Sequence, residues 1–297
     1  MKKGITKILS ACVFAFVVFL AAGTQSKAAV NMGVKQTGAG SSYVDLAWDA
    51  QLGAGHYHTQ FSQDGKNWID MDNSSSPSES VYNLTQGASY YARVVAYKGS
   101  HYTGTHVMIG VSETAIVSTK PTEVSGLTQT AAGVNSVSMS WNASAGAASY
   151  VIYGYINYNW TQIGTSATNS ATITGVAATT STRFSVAAVK NVTGGTVTGD
   201  QCSGVEMKAI PIKVSRIAMQ YYWDSLKEAK YIWTDVNNAD GYQYEVKSAN
   251  GKKTYFRATS TNSSTYVKPF PRGIFVKARV RAYVTVGNKV YYGAWSP

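Results

Sequence analysis

The chain has 297 residues, with 26 lysines and arginines against 15 acidic residues, for a formal net charge of +11. Of its two cysteines only Cys202 lies beyond the apolar N-terminal stretch, which excludes an intramolecular disulfide there and leaves stability to packing. The charge is unevenly spread: lysine plus arginine against acidic residues is 5 to 7 over residues 29–120, 3 to 3 over 121–210 and 14 to 5 over 211–297. Such asymmetry points to a polyanionic partner at one end, set against the plainer reading of a soluble basic domain.

Residues 1–29 read as a signal peptide. Lys2, Lys3 and Lys7 precede an apolar run over residues 8–22, and Ser26-Lys27-Ala28 supplies small residues for cleavage. The run is too short to span a bilayer, so no membrane span is expected after its removal. Cys12 sits ahead of most of the apolar core, not behind it, which argues against a lipoprotein box.

Beyond the leader a pattern recurs three times, because Trp48, Trp141 and Trp233 are 93 and 92 residues apart. The apolar residues alternate around each: Val44/Leu46/Trp48, Val137/Met139/Trp141 and Ala229/Tyr231/Trp233, the period of a strand that buries one face. A second alternating run follows in each unit: Tyr90/Ala92/Val94/Ala96, Thr182/Phe184/Val186/Ala188 and Val276/Ala278/Val280/Ala282. These runs end 48, 47 and 49 residues after their tryptophans, so the register holds through each unit. Asp64-Gly65 and Asn250-Gly251 supply the positive φ of hairpin turns, residues 225–228 read as a turn, and prolines at 121 and 211 close the first two units with short extended junctions. The expected architecture is all-β, with three tandem antiparallel sandwiches over residues 30–120, 121–210 and 211–297.

The first unit resembles the fibronectin type III domain of secreted bacterial proteins. The likeness rests on Trp48, His56-Tyr57-His58, Asp64-Gly65-Lys66-Asn67-Trp68 and the stretch from Leu84 to Tyr90, which looks like that family's tyrosine corner. Thr182 and Val276 stand where Tyr90 stands, so the second and third units depart from the pattern. The resemblance implies seven-stranded immunoglobulin-like sandwiches used for spacing, adhesion or accessory binding, and does not choose among them.

No nucleophile elbow, zinc-protease helix or phosphate-binding loop occurs, so no catalytic residue and no cofactor is expected. Lys277, Arg279 and Arg281 alternate with inward Ala278 and Val280, and with Lys247 they form a candidate stripe for an anionic glycan, teichoic acid or other cell-wall polymer. Trp68, Trp160 and Tyr255 hold equivalent places and are candidate stacking platforms for sugars, or else packing rings. His56, His58, His101 and His106 gather at one pole of the first unit, as exposed polar residues or as a weak metal or pH-sensitive site. The sequence also ends soon after Trp295, which suggests a short or missing last strand and an edge open to strand exchange. The leading expectation is a secreted or cell-surface, non-enzymatic adhesion or scaffold rod; a carbohydrate-binding accessory module and an inert spacer are the alternatives.

Overall fold

The computed structural model describes residues 29–99 and 106–297; the expected leader therefore lies almost wholly outside the described residues, as does His101. Every regular element among the described residues is a strand. The first unit contains β1 (Lys35–Ala39), β2 (Val44–Ala47), β3 (His56–Ser62), β4 (Ile69–Ser74), β5 (Ser78–Val81), β6 (Ser89–Lys98), β7 (Val107–Val111) and β8 (Ala115–Ser118). They form two antiparallel sheets, β1-β2-β5 and β4-β3-β6-β7, with β8 also on β6.

The second unit repeats this plan with β9 (Thr128–Gly133), β10 (Ser136–Ser140), β11 (Ser149–Ile156), β12 (Asn159–Ser166), β13 (Ser170–Thr174), β14 (Thr182–Val192), β15 (Gly195–Thr198) and β16 (Val205–Met207). Its sheets are β13-β10-β9 and β12-β11-β14-β15, with β16 on β14. In the third, β17 (Ile217–Trp223), β18 (Glu228–Trp233) and β21 (Ser264–Val267) face β20 (Thr254–Ser260), β19 (Gly241–Ser248), β22 (Val276–Val286) and β23 (Lys289–Tyr292). Each pair of sheets encloses its own core, centred on Leu46 and Val94, on Met139 and Phe184, and on Ala229 and Val280. These are three tandem immunoglobulin-like sandwiches.

The alternating runs produce these cores because successive residues of a strand face opposite sides. Each repeat tryptophan is locked by a tyrosine nine residues later. The ring centroids of Trp48–Tyr57, Trp141–Tyr150 and Trp233–Tyr242 are 5.4, 5.3 and 5.5 Å apart, all edge-on. The three hydroxyls accept from the backbone N–H of Gln51, Ser144 and Val236 at 3.0, 3.0 and 2.8 Å, so each phenol also closes a turn. Burial, and then a hydrogen bond to Asp235, push the Tyr242 phenol up to about 12. The tyrosine corner forms in the first unit, where the Tyr90 hydroxyl accepts from Thr85 N at 3.0 Å.

A second repeated clasp fixes the long strands. Val94 N donates to Ser112 Oγ (2.8 Å), Val186 N to Cys202 Sγ (3.3 Å) and Val280 N to Ser296 Oγ (3.0 Å). The amides of Ser112, Cys202 and Ser296 return the bond to the carbonyls of the same valines. After Ser112 and Cys202 the chain runs on into β8 and β16, which pair with the start of β6 and β14. In the third unit β23 and residues 293–296 bond to β22 from Val280 onward, while Val276 to Ala278 pair only with β19 among the described residues.

Neighbouring units touch. Thr193, at the tip of the β14–β15 hairpin, exchanges two bonds with Ile116 (2.8 and 2.7 Å), and Lys120 pairs with Asp200 at 2.7 Å. The next junction repeats the ion pair as Lys208–Asp240 at 2.7 Å.

Candidate functional site

The outer face of β20-β19-β22 carries the basic stripe. Register places Lys277 opposite Lys247, Arg279 opposite Glu245 and Arg281 opposite Gln243, all pointing away from the core. The expected cations therefore share one face. They are not, however, a simply solvated row: the Glu245 side chain among them has no solvent exposure, and Arg257 Nη2 and Lys247 Nζ approach it at 2.7 and 3.7 Å. Arg279 Nε also donates to it. Burial pushes the Glu245 carboxyl up, but the Arg257 and Arg279 hydrogen bonds and the nearby Arg279 and Lys247 charges outweigh that, so it is held below the ordinary carboxylate range.

The C-terminal clasp adds an aromatic lid. With Ser296 pinned to Val280, Trp295 lies over the same face, its ring 4.4 Å from the Arg279 guanidinium carbon and 4.5 Å from that of Arg281. Arg281 also lies 3.9 Å from the Tyr292 centroid and donates from Nε and Nη2 to Gln243 Oε1 at 2.9 and 2.6 Å. Stacking holds each guanidinium flat while leaving N–H groups at its edge. Lys277 is exposed. Three cations thus surround one carboxylate, and Lys277 and Arg281 extend the same face. Within that stripe Arg279 neutralises a buried acid and Arg281 is stacked and bonded to Gln243, while Lys277 has no such partner among the described residues.

The equivalent position in the first unit explains Trp68. Gln60 stands opposite Arg93 as Glu245 stands opposite Arg279, and Arg93 donates to it while covering the Trp68 ring at 4.1 Å. Tyr255 is covered by Lys253 at 4.9 Å. Trp160 is 37% exposed, leans on Tyr155 at 5.3 Å and lies so close to Gly204 that a Cβ there would meet it at 2.7 Å. The three rings occupy matching places but are spread over three units, and each has an intramolecular partner.

His56, His58 and His106 do come together, packed around Tyr97. Their ring centroids lie 5.2, 4.8 and 4.9 Å from the Tyr97 ring, with His56 stacked on it at 9°. His56 is buried, and its Nδ1 is 3.1 Å from Gly99 O. Among the described residues no three His, Cys, Asp or Glu side chains are arranged to hold a metal ion. The three imidazoles also lie close to one another, at 5.4 Å for His56–His58, 5.4 Å for His56–His106 and 6.2 Å for His58–His106. Cys202 is a buried clasp residue, with Ser185 Oγ donating to its carbonyl at 2.7 Å.

Two features of the basic face are not legible in the sequence. Glu245 looks like any outward acid in an alternating strand, and Trp295 gains meaning only once Ser296 is paired with Val280. The recurrence of Trp and Tyr nine residues apart was readable in all three units.

The sequence matches no family model and no curated protein. Among solved structures it is similar to the FN1–FN3 domains of chicken CNTN1, at 15% identity over 89% of this chain and 95% of that one, with a TM-score of 0.35. A two-domain fibronectin type III segment of chicken tenascin is similar at 17% identity over 59% of this chain and 97% of that one, with a TM-score of 0.31. The fold assignment rests on the three two-sheet sandwiches themselves.

Proposed function

We propose that this chain is a secreted or cell-surface, non-enzymatic adhesion or scaffold rod that holds an anionic wall or matrix polymer against the outer face of β20-β19-β22. The observation that carries the reading is the excess of charge there: Lys247, Arg257, Lys277, Arg279 and Arg281 share this face with the carboxylate of Glu245, which Lys247, Arg257 and Arg279 reach. Glu245 and Trp295 position the guanidiniums before any ligand arrives, so little side-chain entropy is lost on binding. A polymer with closely spaced negative groups can bridge Lys277 and the free guanidinium edges.

The test is retention of the full chain on immobilised dextran sulfate across a salt gradient. Wild type should elute with a steep salt dependence, and Lys277→Glu with Arg281→Gln should elute earlier. Unchanged elution of that variant would remove this face from the function.

A further inference from the structure

The opposite sheet of the third unit carries an aromatic row at register positions that hold no ring in the first two units. Tyr221, Lys230 and Tyr266 lie side by side across β17-β18-β21, with Tyr221 paired to Lys230 and Lys230 to Tyr266. The two phenol oxygens meet at 3.3 Å, and the Lys230 ammonium sits 5.5 Å from each ring, so the tyrosines arch over the lysine. Trp223 extends the row. Its plane is within 11° of Tyr266, with centroids 6.2 Å apart, and it contacts Tyr221 at 4.0 Å. Trp223 and Tyr266 remain 39% and 51% exposed.

The repeat supplies an internal control. The positions of Tyr221, Lys230 and Tyr266 correspond by register to Gly38, Asp45 and Ser80 in the first unit, and to Ala131, Ser138 and Thr172 in the second. Trp223, paired with Glu228, corresponds to Gly133, paired with Ser136. The second unit thus builds the same sandwich with small side chains in this row, and the first with Gly38, Asp45 and Ser80, its Tyr43–Tyr82 ring pair lying beyond them, so packing does not call for rings at the positions of Tyr221 and Tyr266. Exposed aromatics grouped about one polar anchor are the composition of a ligand site.

The charges select the ligand. Around the row Arg272 pairs with Asp224, and Lys268 lies 3.8 Å from Glu228, which leaves Lys230 as the cation without a carboxylate partner in this group. A polyphosphate chain calls for many cations, whereas a sugar bearing one carboxylate calls for one. We propose that Tyr221, Trp223, Tyr266 and Lys230 form a binding site for a uronic-acid-containing glycan, with the aromatic faces against the pyranose C–H groups and Lys230 and the phenol hydroxyls on the carboxylate. The site lies on the sheet opposite the basic face and does not depend on the polymer-binding reading.

The test uses the full chain, calorimetry, and two probes: a galacturonic acid tetramer and the corresponding neutral galactose tetramer. The acidic tetramer should bind more tightly. Trp223→Gly and Tyr266→Thr, which install residues the sister units already carry, should each weaken it by about tenfold or more with unchanged melting. Lys230→Ser should abolish the preference for the acidic probe, and Lys98→Ser, at an exposed position of the first unit, should leave binding within about twofold, as expected for a residue outside the site. The proposal is overturned if wild type binds neither tetramer or if these three variants bind as wild type does. It is equally overturned if only Lys98→Ser reduces binding, if an oligothymidylate binds more tightly than the galacturonate, or if sedimentation shows the row buried in a dimer that Trp223→Gly dissolves.

Discussion

Arg279→Met isolates the interaction on which the basic face is built. The substitution keeps an aliphatic stem beside Trp295 but removes the donor at Glu245 Oε1, leaving the fully buried carboxylate to Arg257 at 2.7 Å and Lys247 at 3.7 Å. Breaking one partner of a fully buried pair costs about 3–5 kcal/mol. The Arg279 side chain is 38% exposed and Arg257 remains, so solvent screening reduces the expected loss to about 1.5–3 kcal/mol. Native-state hydrogen exchange in the full chain reads this locally, at the core amides of Val246 and Val280, without requiring the three units to melt separately.

The pH dependence carries its own sign. Glu245 is depressed in the folded protein, so its contribution is fully present above the unfolded carboxylate value of about 4.3 and is lost as pH falls through the lower folded value. Arg279→Met shrinks that depression, so the gap between wild type and variant should narrow below about pH 4. In a Glu245→Gln background the same substitution should cost clearly less than in wild type, because the charge it serves is gone. Loss of protection below about 0.5 kcal/mol, or an equal cost in both backgrounds, would refute the claim that Arg279 serves the buried acid.

Three further outcomes follow from the clasps and the sheet edge. Cys202→Ser should change stability by less than about 1 kcal/mol, since Ser112 and Ser296 make the same bond, whereas Cys202→Val should cost about 1–3 kcal/mol by orphaning Val186 N; urea titration of the second unit reads both. Tyr150→Phe should cost about 1 kcal/mol in the same titration, because Ser144 N loses its acceptor while the ring stays on Trp141. On β22 the Val280 amide should be protected and the Ala278 amide should exchange fast, since residues two apart face the same side and only Val280 meets Ser296 there. Amides of Arg279 and Arg281 point to β19 and report nothing about that edge.

What was legible in the sequence was whatever repeats with the strand period. The 92- and 93-residue tryptophan spacing and the inward runs through Val94, Val186 and Val280 are local patterns, and each is read within a few residues of itself. The basic face was half legible for the same reason: alternation puts Lys277, Arg279 and Arg281 on one side, but says nothing about what lies across the strand. Glu245 is buried because Arg257, Arg279 and Lys247 reach it from three strands, and those partners are 12, 34 and 2 residues away. The aromatic row was hidden by a different cause. A register shift between Met219 and Tyr221 changes which residues of β17 face outward, so Tyr221 and Trp223 cannot be assigned to the face of Lys230 and Tyr266 from periodicity alone. Once that bulge is placed, comparison with Gly38 and Ala131 at the same register position separates what the sandwich needs from what it merely carries. Recurrence among the units identifies the scaffold, and departure from recurrence at an exposed position is what sets Tyr221, Trp223 and Tyr266 apart from it.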